Sequence, residues 1–269
     1  MEEKKKDTAV TKQETLAALR NPGELYVVMS AATRMPFVLC DENTYDDEVL
    51  LYYRLEDAKE KAKQLAADRY QTAVAKLNDK QLLGFYTSLF TMDVNCLAVN
   101  SGTDTEIQIQ LNELVARKKP EEVPGSKKVV ENPALHLTAL YFMQEMRRQN
   151  TTEPTPEIRE LQEELLAHYQ KGTYIIAIEE NGQVPILKQK NGLIYQPVFT
   201  DALEVQKFSK GKKMRLMAIP AAKIPEILVP DAKGVVINPL GVNVQLQVNR
   251  PKKKEDQPAE GQADSKPVS

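Results

Sequence analysis

The chain has 269 residues, 42% of them apolar and 6% aromatic with no Trp, and a net charge of −2 from 36 basic and 38 acidic residues. That length accommodates two domains of ordinary size, with Leu, Ile, Val and Ala supplying most of the core. The mixed charge argues against a nucleic-acid binder, which needs a basic face to neutralise phosphates, and no apolar run approaches the roughly 20 residues that span a bilayer.

The N-terminus, Met1-Glu2-Glu3-Lys4-Lys5-Lys6, runs into polar residues rather than the apolar stretch of a signal peptide, which predicts a cytoplasmic protein. Residues 1–21 read as flexible or weakly helical, with folded structure beginning at the turn signal Asn21-Pro22-Gly23. A first unit covers 22–116. Leu25-Tyr26-Val27-Val28-Met29, Pro36-Phe37-Val38-Leu39 and the stretch 49–53 read as strands. A helix follows with Leu55, Ala58, Ala62, Leu65 and Ala66 on one face. Residues 70–75 predict another strand, and Asn78 with Gln81 a capping box ahead of Leu82, Leu83, Tyr86 and Leu89. Cys96-Leu97-Ala98-Val99-Asn100 and Ile107-Gln108-Ile109-Gln110-Leu111 close the unit. Both cysteines, Cys40 and Cys96, lie among apolar neighbours and read as small core residues of a reducing compartment.

Residues 117–132, with Pro120, Pro124 and Gly125, read as a linker. Asn132-Pro133 and Thr155-Pro156 then open two helices, which form a helical hairpin over 133–171 with apolar stripes expected to pack on the sheets. The second unit covers 172–249. Its Asn181-Gly182 and Asn191-Gly192, set between strand-like runs, predict type I′ turns and a three-stranded antiparallel meander. Asp201 and Glu204 stand at capping-box spacing, and 214–219 and Val235-Val236-Ile237 read as strands. Val242, Val244, Leu246 and Val248 alternate with Asn243, Gln245 and Gln247 as a half-buried strand does. The tail, 250–269, is too polar to offset its ordering entropy and reads as disordered. Lys118-Lys119, Lys127-Lys128 and Lys212-Lys213 have acidic neighbours and read as solvated surface.

The two units present the same landmarks in the same order. Leu25-Tyr26-Val27-Val28 answers Thr173-Tyr174-Ile175-Ile176, Ala98-Val99-Asn100-Ser101 answers Val236-Ile237-Asn238-Pro239, and Ile107-Gln108-Ile109-Gln110-Leu111 answers Val244-Gln245-Leu246-Gln247-Val248. Agreement in order as well as type predicts a tandem repeat. The expected fold class is therefore α+β: two diverged units, each a mainly antiparallel sheet with flanking helices, plus the helical hairpin between them.

Val184-Pro185-Ile186-Leu187, Tyr195-Gln196-Pro197-Val198-Phe199-Thr200 and Val236-Ile237-Asn238-Pro239 together resemble the SseB family, named for an enhanced-serine-sensitivity protein of bacteria. The second unit matches that family's Pro-Val-Phe-Thr step and late Asn-Pro turn. The first follows only in outline, with Leu51-Tyr52-Tyr53-Arg54 at the step and Asn100-Ser101 at the turn. The resemblance implies no reaction, substrate or catalytic residue. It does single out a candidate binding surface where step and turn would meet: Pro197, Phe199, Thr200, Asp201, Asn238 and Pro239.

No chemistry-bearing motif accompanies it. His136 and His168 are the only histidines and read as helix-surface or core-edge residues, and they lack metal-ligand spacing. No nucleophile elbow, Walker loop or dinucleotide fingerprint occurs, so no cofactor is expected. Asp41-Glu42 and Asp46-Asp47-Glu48 could offer oxygen ligands to a divalent cation, but they lack the spacing and glycine of a calcium loop and read as a solvated acidic loop. Ser101-Gly102-Thr103-Asp104 reads as a turn. The expected function is a non-enzymatic module that binds another protein or a small ligand, rather than nucleic acid or membrane. The alternatives are an enzyme whose site assembles only in three dimensions, and a two-domain scaffold.

Overall fold

A computed structural model describes residues 2–117, 129–150 and 153–250, with side chains from Thr11 onward. The expected disorder of the tail past Arg250, and Lys118, Lys119, Lys127 and Lys128 of the linker, lie outside the described residues.

Helix α1 (Glu2–Arg20) occupies the segment expected to be flexible or weakly helical. Leu16 and Leu19, three apart, turn to the core, and Leu19 is fully buried. Burial of one leucine contributes about 2 kcal/mol. The Tyr86 hydroxyl donates to the Leu19 carbonyl at 2.9 Å, and Lys12 pairs with Glu113 at 2.8 Å. Folded structure therefore starts before Asn21.

The first unit comprises β1 (Leu25–Ser30), β2 (Met35–Pro36), β3 (Val38–Cys40), β4 (Asp47–Tyr52), α2 (Leu55–Ala67), β5 (Thr72–Leu77), α3 (Asp79–Phe90), β6 (Cys96–Val99), β7 (Ile107–Gln110) and α4 (Leu111–Leu114). Its sheet runs β5-β1-β4-β6-β7, with β2 added to β1 and β3 to β4. Only β4 and β6 pair in parallel. Then come α5 (Pro133–Gln149) and α6 (Pro156–Lys171), packed against each other as the hairpin.

The second unit comprises β8 (Thr173–Ile178), β9 (Leu187–Lys188), β10 (Ile194–Val198), α7 (Ala202–Ser209), β11 (Arg215–Pro220), a 3₁₀ turn (Ala221–Lys223), α8 (Ile224–Ile227), β12 (Ala232–Ile237) and β13 (Val244–Gln247). Strands β9, β10, β12 and β13 form one sheet and β11 pairs with β8. A bridge between Ile175 and Phe199 joins β8 to the end of β10. The resulting order, β11-β8-β10-β12-β13, repeats that of the first unit, including the parallel pair β10–β12. The fold is α+β, two tandem diverged units with a helical hairpin between them.

Three expectations are corrected by the pairing. The three-stranded meander does not form, because β8 gives one edge to β11 and meets β10 on the other, leaving β9 to pair with β10 alone. The first landmark of the repeat is offset by one residue from the sequence match, while the late turn and the closing strand correspond as matched. Tyr26 opposite Tyr52 corresponds to Ile175 opposite Phe199, so Leu25 answers Tyr174 rather than Thr173. A one-residue slip exchanges the two faces of a strand, and the burial agrees: Leu25, Val27, Tyr174 and Ile176 share one core, while Ile175 and Ala177 share another with Phe199. Finally, Cys40 is exposed at the end of β3, and only Cys96 is a core residue; both thiols are free.

One apolar cluster runs through both units and the hairpin. It contains Val27, Leu51 and Leu97 of the first sheet, Leu135, Leu140 and Leu165 of the hairpin, and Ile176, Val198 and Ile237 of the second unit.

Candidate functional site

The late turn of each unit is a backbone clamp. Asn238 adopts a left-handed φ of 44° and Asn100 one of 52°, a conformation that asparagine accepts more readily than most residues. Asn238 N–H donates to the Val198 carbonyl at 3.0 Å, and its Oδ1 accepts from Thr200 N–H at 3.0 Å. Asn100 repeats both bonds, to the Leu51 carbonyl at 2.7 Å and from Tyr53 N–H at 3.3 Å. Each clamp secures the chain where it leaves the parallel strand pair.

In the first unit Asn100 Nδ2 donates to Thr105 Oγ1 at 3.1 Å within its own turn, whereas the second unit extends the clamp toward the hairpin. Asn238 Nδ2 donates to Thr200 Oγ1 at 2.7 Å, and Thr200 Oγ1 donates to Asp201 Oδ2 at 2.8 Å. The other Asp201 oxygen caps α7, accepting from Leu203 N–H at 2.9 Å and Glu204 N–H at 3.1 Å. The expected return bond from Glu204 is replaced by an ion pair with Lys207. From the hairpin, His136 Nδ1 approaches to 3.5 Å from Thr200 Oγ1 and 3.7 Å from Asp201 Oδ2. Burial raises the Asp201 carboxyl, but His136, Thr200 and the Glu204 N–H together outweigh it and hold the group below its ordinary value.

Sequence reasoning grouped Phe199, Thr200, Asp201 and Asn238 correctly in space, but they are not a surface. Thr200 and Asn238 are 0% exposed and Asp201 and Phe199 1%. Phe199 packs on Phe208 with ring centroids 5.2 Å apart. Pro197 lies in a central strand rather than at an edge, and its missing donor falls between the last β9 pairing at Tyr195 and the β8 bridge at Phe199. Pro239 is half-buried just beyond the clamp. His136, expected at a helix surface or core edge, is fully buried. Thr200, His136 and Asp201 name the residue types of a nucleophilic triad. Here, however, the hydroxyl proton is directed to the aspartate and no face of the cluster reaches solvent, so the arrangement serves as a lock between hairpin and second unit. Asn132 adds to that lock: its amide donates to the Thr173 carbonyl at 2.7 Å and the Thr200 carbonyl at 3.0 Å instead of capping α5.

An open cleft of about 720 Å³ lies where the hairpin meets the first unit. Tyr45, Tyr70 and Tyr141 line it with Glu42, Glu145, Glu157, Glu160 and Glu164; Arg148 beside it pairs with Glu145 and Glu157 and stands 5.2 Å from the Tyr70 ring centre. Gln144 fixes one wall by pairing with the β3 backbone like a neighbouring strand: Val38 N–H donates to Oε1 at 3.1 Å, and Nε2 donates to the Val38 carbonyl at 2.9 Å. Tyr141 donates to Asp47 Oδ1 at 2.6 Å and Tyr70 to Glu145 Oε1 at 2.6 Å. The acidic loop is thereby anchored rather than simply solvated. Asp41 Oδ1 closes its turn by accepting from Asn43 and Thr44 N–H, while Asn95 and Gln110 hold Asp46. Tyr45 stands at the loop tip, 79% exposed. Burial, then the carboxylates Asp47, Asp41, Glu48 and Asp46, push the Cys40 thiol up, which reports a negative field at this wall. Burial also raises Asp47. Among the described residues no group of three or more His, Cys, Asp or Glu is arranged to hold a metal ion. Nor is any described helix long and apolar enough to cross a membrane.

No protein-family model matches the chain, and no curated protein matches it. Among solved structures the chain is similar to Anabaena Tic22, titled as protein transport, at 10% identity over 83% of this chain and 92% of that one. The TM-score is 0.20, so the likeness carries no argument about fold or function.

Proposed function

We propose that the protein is a non-enzymatic, cytoplasmic binding module and that its binding surface is the tyrosine-lined acidic cleft, which takes an ammonium or guanidinium group of a basic peptide or polyamine. One observation carries this reading: five carboxylates and three tyrosines line a cleft of about 720 Å³. Arg148 pairs with Glu145 and Glu157 and covers the Tyr70 ring, and His168 faces Glu164, but Glu42 and Glu160 have no cationic partner among the described residues, nor do the rings of Tyr45 and Tyr141. Carboxylates pair with such groups and tyrosine faces attract them, at about 0.5–1 kcal/mol per ring at exposed sites. Gln144, Tyr141 and Tyr70 are already fixed by hydrogen bonds, so little ordering is needed on binding. Membership of the SseB family stays within this proposal, on the motif residues of the second unit alone.

Tyrosine fluorescence supplies the test, since the chain has ten Tyr and no Trp. Titration with tri-lysine and with spermidine changes the signal saturably, and the affinity falls as salt rises. Charge reversal at the cleft, Glu42→Lys with Glu160→Lys, weakens binding by about tenfold or more. Equal, weak responses in wild type and variant overturn the reading.

A further inference from the structure

The two units differ at one sheet edge, and the difference exposes it. In the first unit β5 is the outer strand. Its Val74 packs beneath α2, a helix of 13 residues, and the next residue on that face, Lys76, pairs with Glu24. By the pairing registers β11 is its counterpart, with Leu216 in the place of Val74 and Ala218 in the place of Lys76. Helix α7 has only 8 residues and ends at a left-handed Lys210 before Gly211, and Leu216 is left 47% exposed. Met217, on the opposite face, is 37% exposed.

The backbone of β11 is open as well. Ala221 N–H donates to the Gly172 carbonyl at 2.9 Å, which sets the phase of the ladder. Because alternate residues point to opposite edges, Arg215, Met217 and Ile219 bond to β8, and Leu216, Ala218 and Pro220 face outward. Pro220 has no N–H to leave unpaired there, as expected on an outer edge. Proteins ordinarily protect such edges with an inward charge, most often lysine. The first unit has that lysine at position 76, whereas the second has alanine.

Charge identifies the occupant. Lys210, Lys212, Lys213 and Arg215 gather at the start of β11, and none forms an ion pair among the described residues. Glu179 and Glu180 line the neighbouring hollow with Lys212 and Lys213 without pairing to them. A second copy paired antiparallel would bring the end of its own β11 toward these cations, where Lys223 is already paired with Glu226, and so would leave them without a counter-charge. A carboxylate-bearing strand would neutralise them. We propose that β11 is a docking edge for an extended segment of a partner protein that alternates acidic with apolar residues. The segment pairs with the outward backbone groups of Leu216 and Ala218, lays apolar side chains on Leu216 and sets carboxylates against Lys212, Lys213 and Arg215.

Fluorescence polarisation tests this with a labelled eight-residue peptide alternating Glu and Val. It binds the full chain, and the same peptide N-methylated at alternate amides, or with Lys for Glu, binds at least about tenfold more weakly. Ala218→Lys, which restores the guard found in the first unit, weakens the Glu-Val peptide by about the same factor. So does Lys212→Glu with Lys213→Glu. All three positions are exposed, and circular dichroism confirms that the variants fold. Binding indifferent to Ala218→Lys, or no binding of the acidic peptide, overturns the proposal. Sedimentation that shows a dimer abolished by Ala218→Lys overturns it in favour of a second copy.

Discussion

Asp201 illustrates how a residue chosen from a motif can be central without being accessible. Its carboxylate caps α7, takes the Thr200 proton and faces His136, all within a region closed to solvent. Asn is also a good N-cap, so Asp201→Asn isolates the charge from the cap. We expect it to cost about 1–3 kcal/mol at pH 7, the range for a buried hydrogen bond to a charged group. The sign of the pH dependence follows from the folded carboxyl titrating below the ordinary 3.8. Its stabilisation is complete above that value and is lost as pH falls through the lower folded one. Denaturant unfolding at pH 7, 5, 4 and 3 should therefore show the gap between wild type and variant closing below about pH 4. A gap that stays constant to pH 3 would mean that the charge is not what matters. The motif was legible as a group because step and turn lie on adjacent parallel strands. His136 was not, because 64 positions separate it from Thr200 and only the docking of α5 brings them together.

At the level of elements, two glycines with opposite surroundings test the packing. Gly172 joins α6 to β8, where a Cβ would lie 2.6 Å from Tyr174 Cζ and 2.7 Å from Asn132 Oδ1. Tyr174 is held there by stacking on Tyr169, with centroids 5.1 Å apart, and by donating to the Tyr169 carbonyl at 2.9 Å. Gly172→Ala should destabilise by about 1–3 kcal/mol, the usual cost of overpacking. Gly84 sits on the exposed face of α3 with nothing within 4 Å. Gly84→Ala should therefore stabilise by about 0.5–1 kcal/mol, because it removes backbone freedom from the unfolded chain and fills no space. Thermal unfolding of both variants checks the pair, and shifts of the same sign would refute the local reading. Element types were legible wherever periodicity was strong, as in Val244, Leu246 and their polar neighbours. Strand partners were not: nothing local in Leu25 or Tyr174 states which face of its strand is buried, and the first landmark of the repeat is accordingly one residue out of step. Helix α1 was read as no more than weakly helical because its charged first half masks the pair Leu16 and Leu19.

At the scale of the molecule, a repeat suggests two independently stable halves, but the packing shows one. The cluster that contains Leu51 and Leu97 continues through Leu135 and Leu140 to Val198 and Ile237 without a polar break between the units. The hairpin is bound to the second unit by Asn132 and His136 and to the first by Gln144 and Tyr141. A chain with such a shared core should unfold in one cooperative step. Leu140 is fully buried at its centre, and Leu140→Ala should cost about 2–5 kcal/mol through the cavity it leaves. If opening is global, the amides of β4 and β10 lose protection in hydrogen exchange by the same free energy, although the substituted residue lies in neither strand. Loss of protection confined to β10 would show instead that the second unit opens alone, and that the first unit with the acidic cleft survives without it.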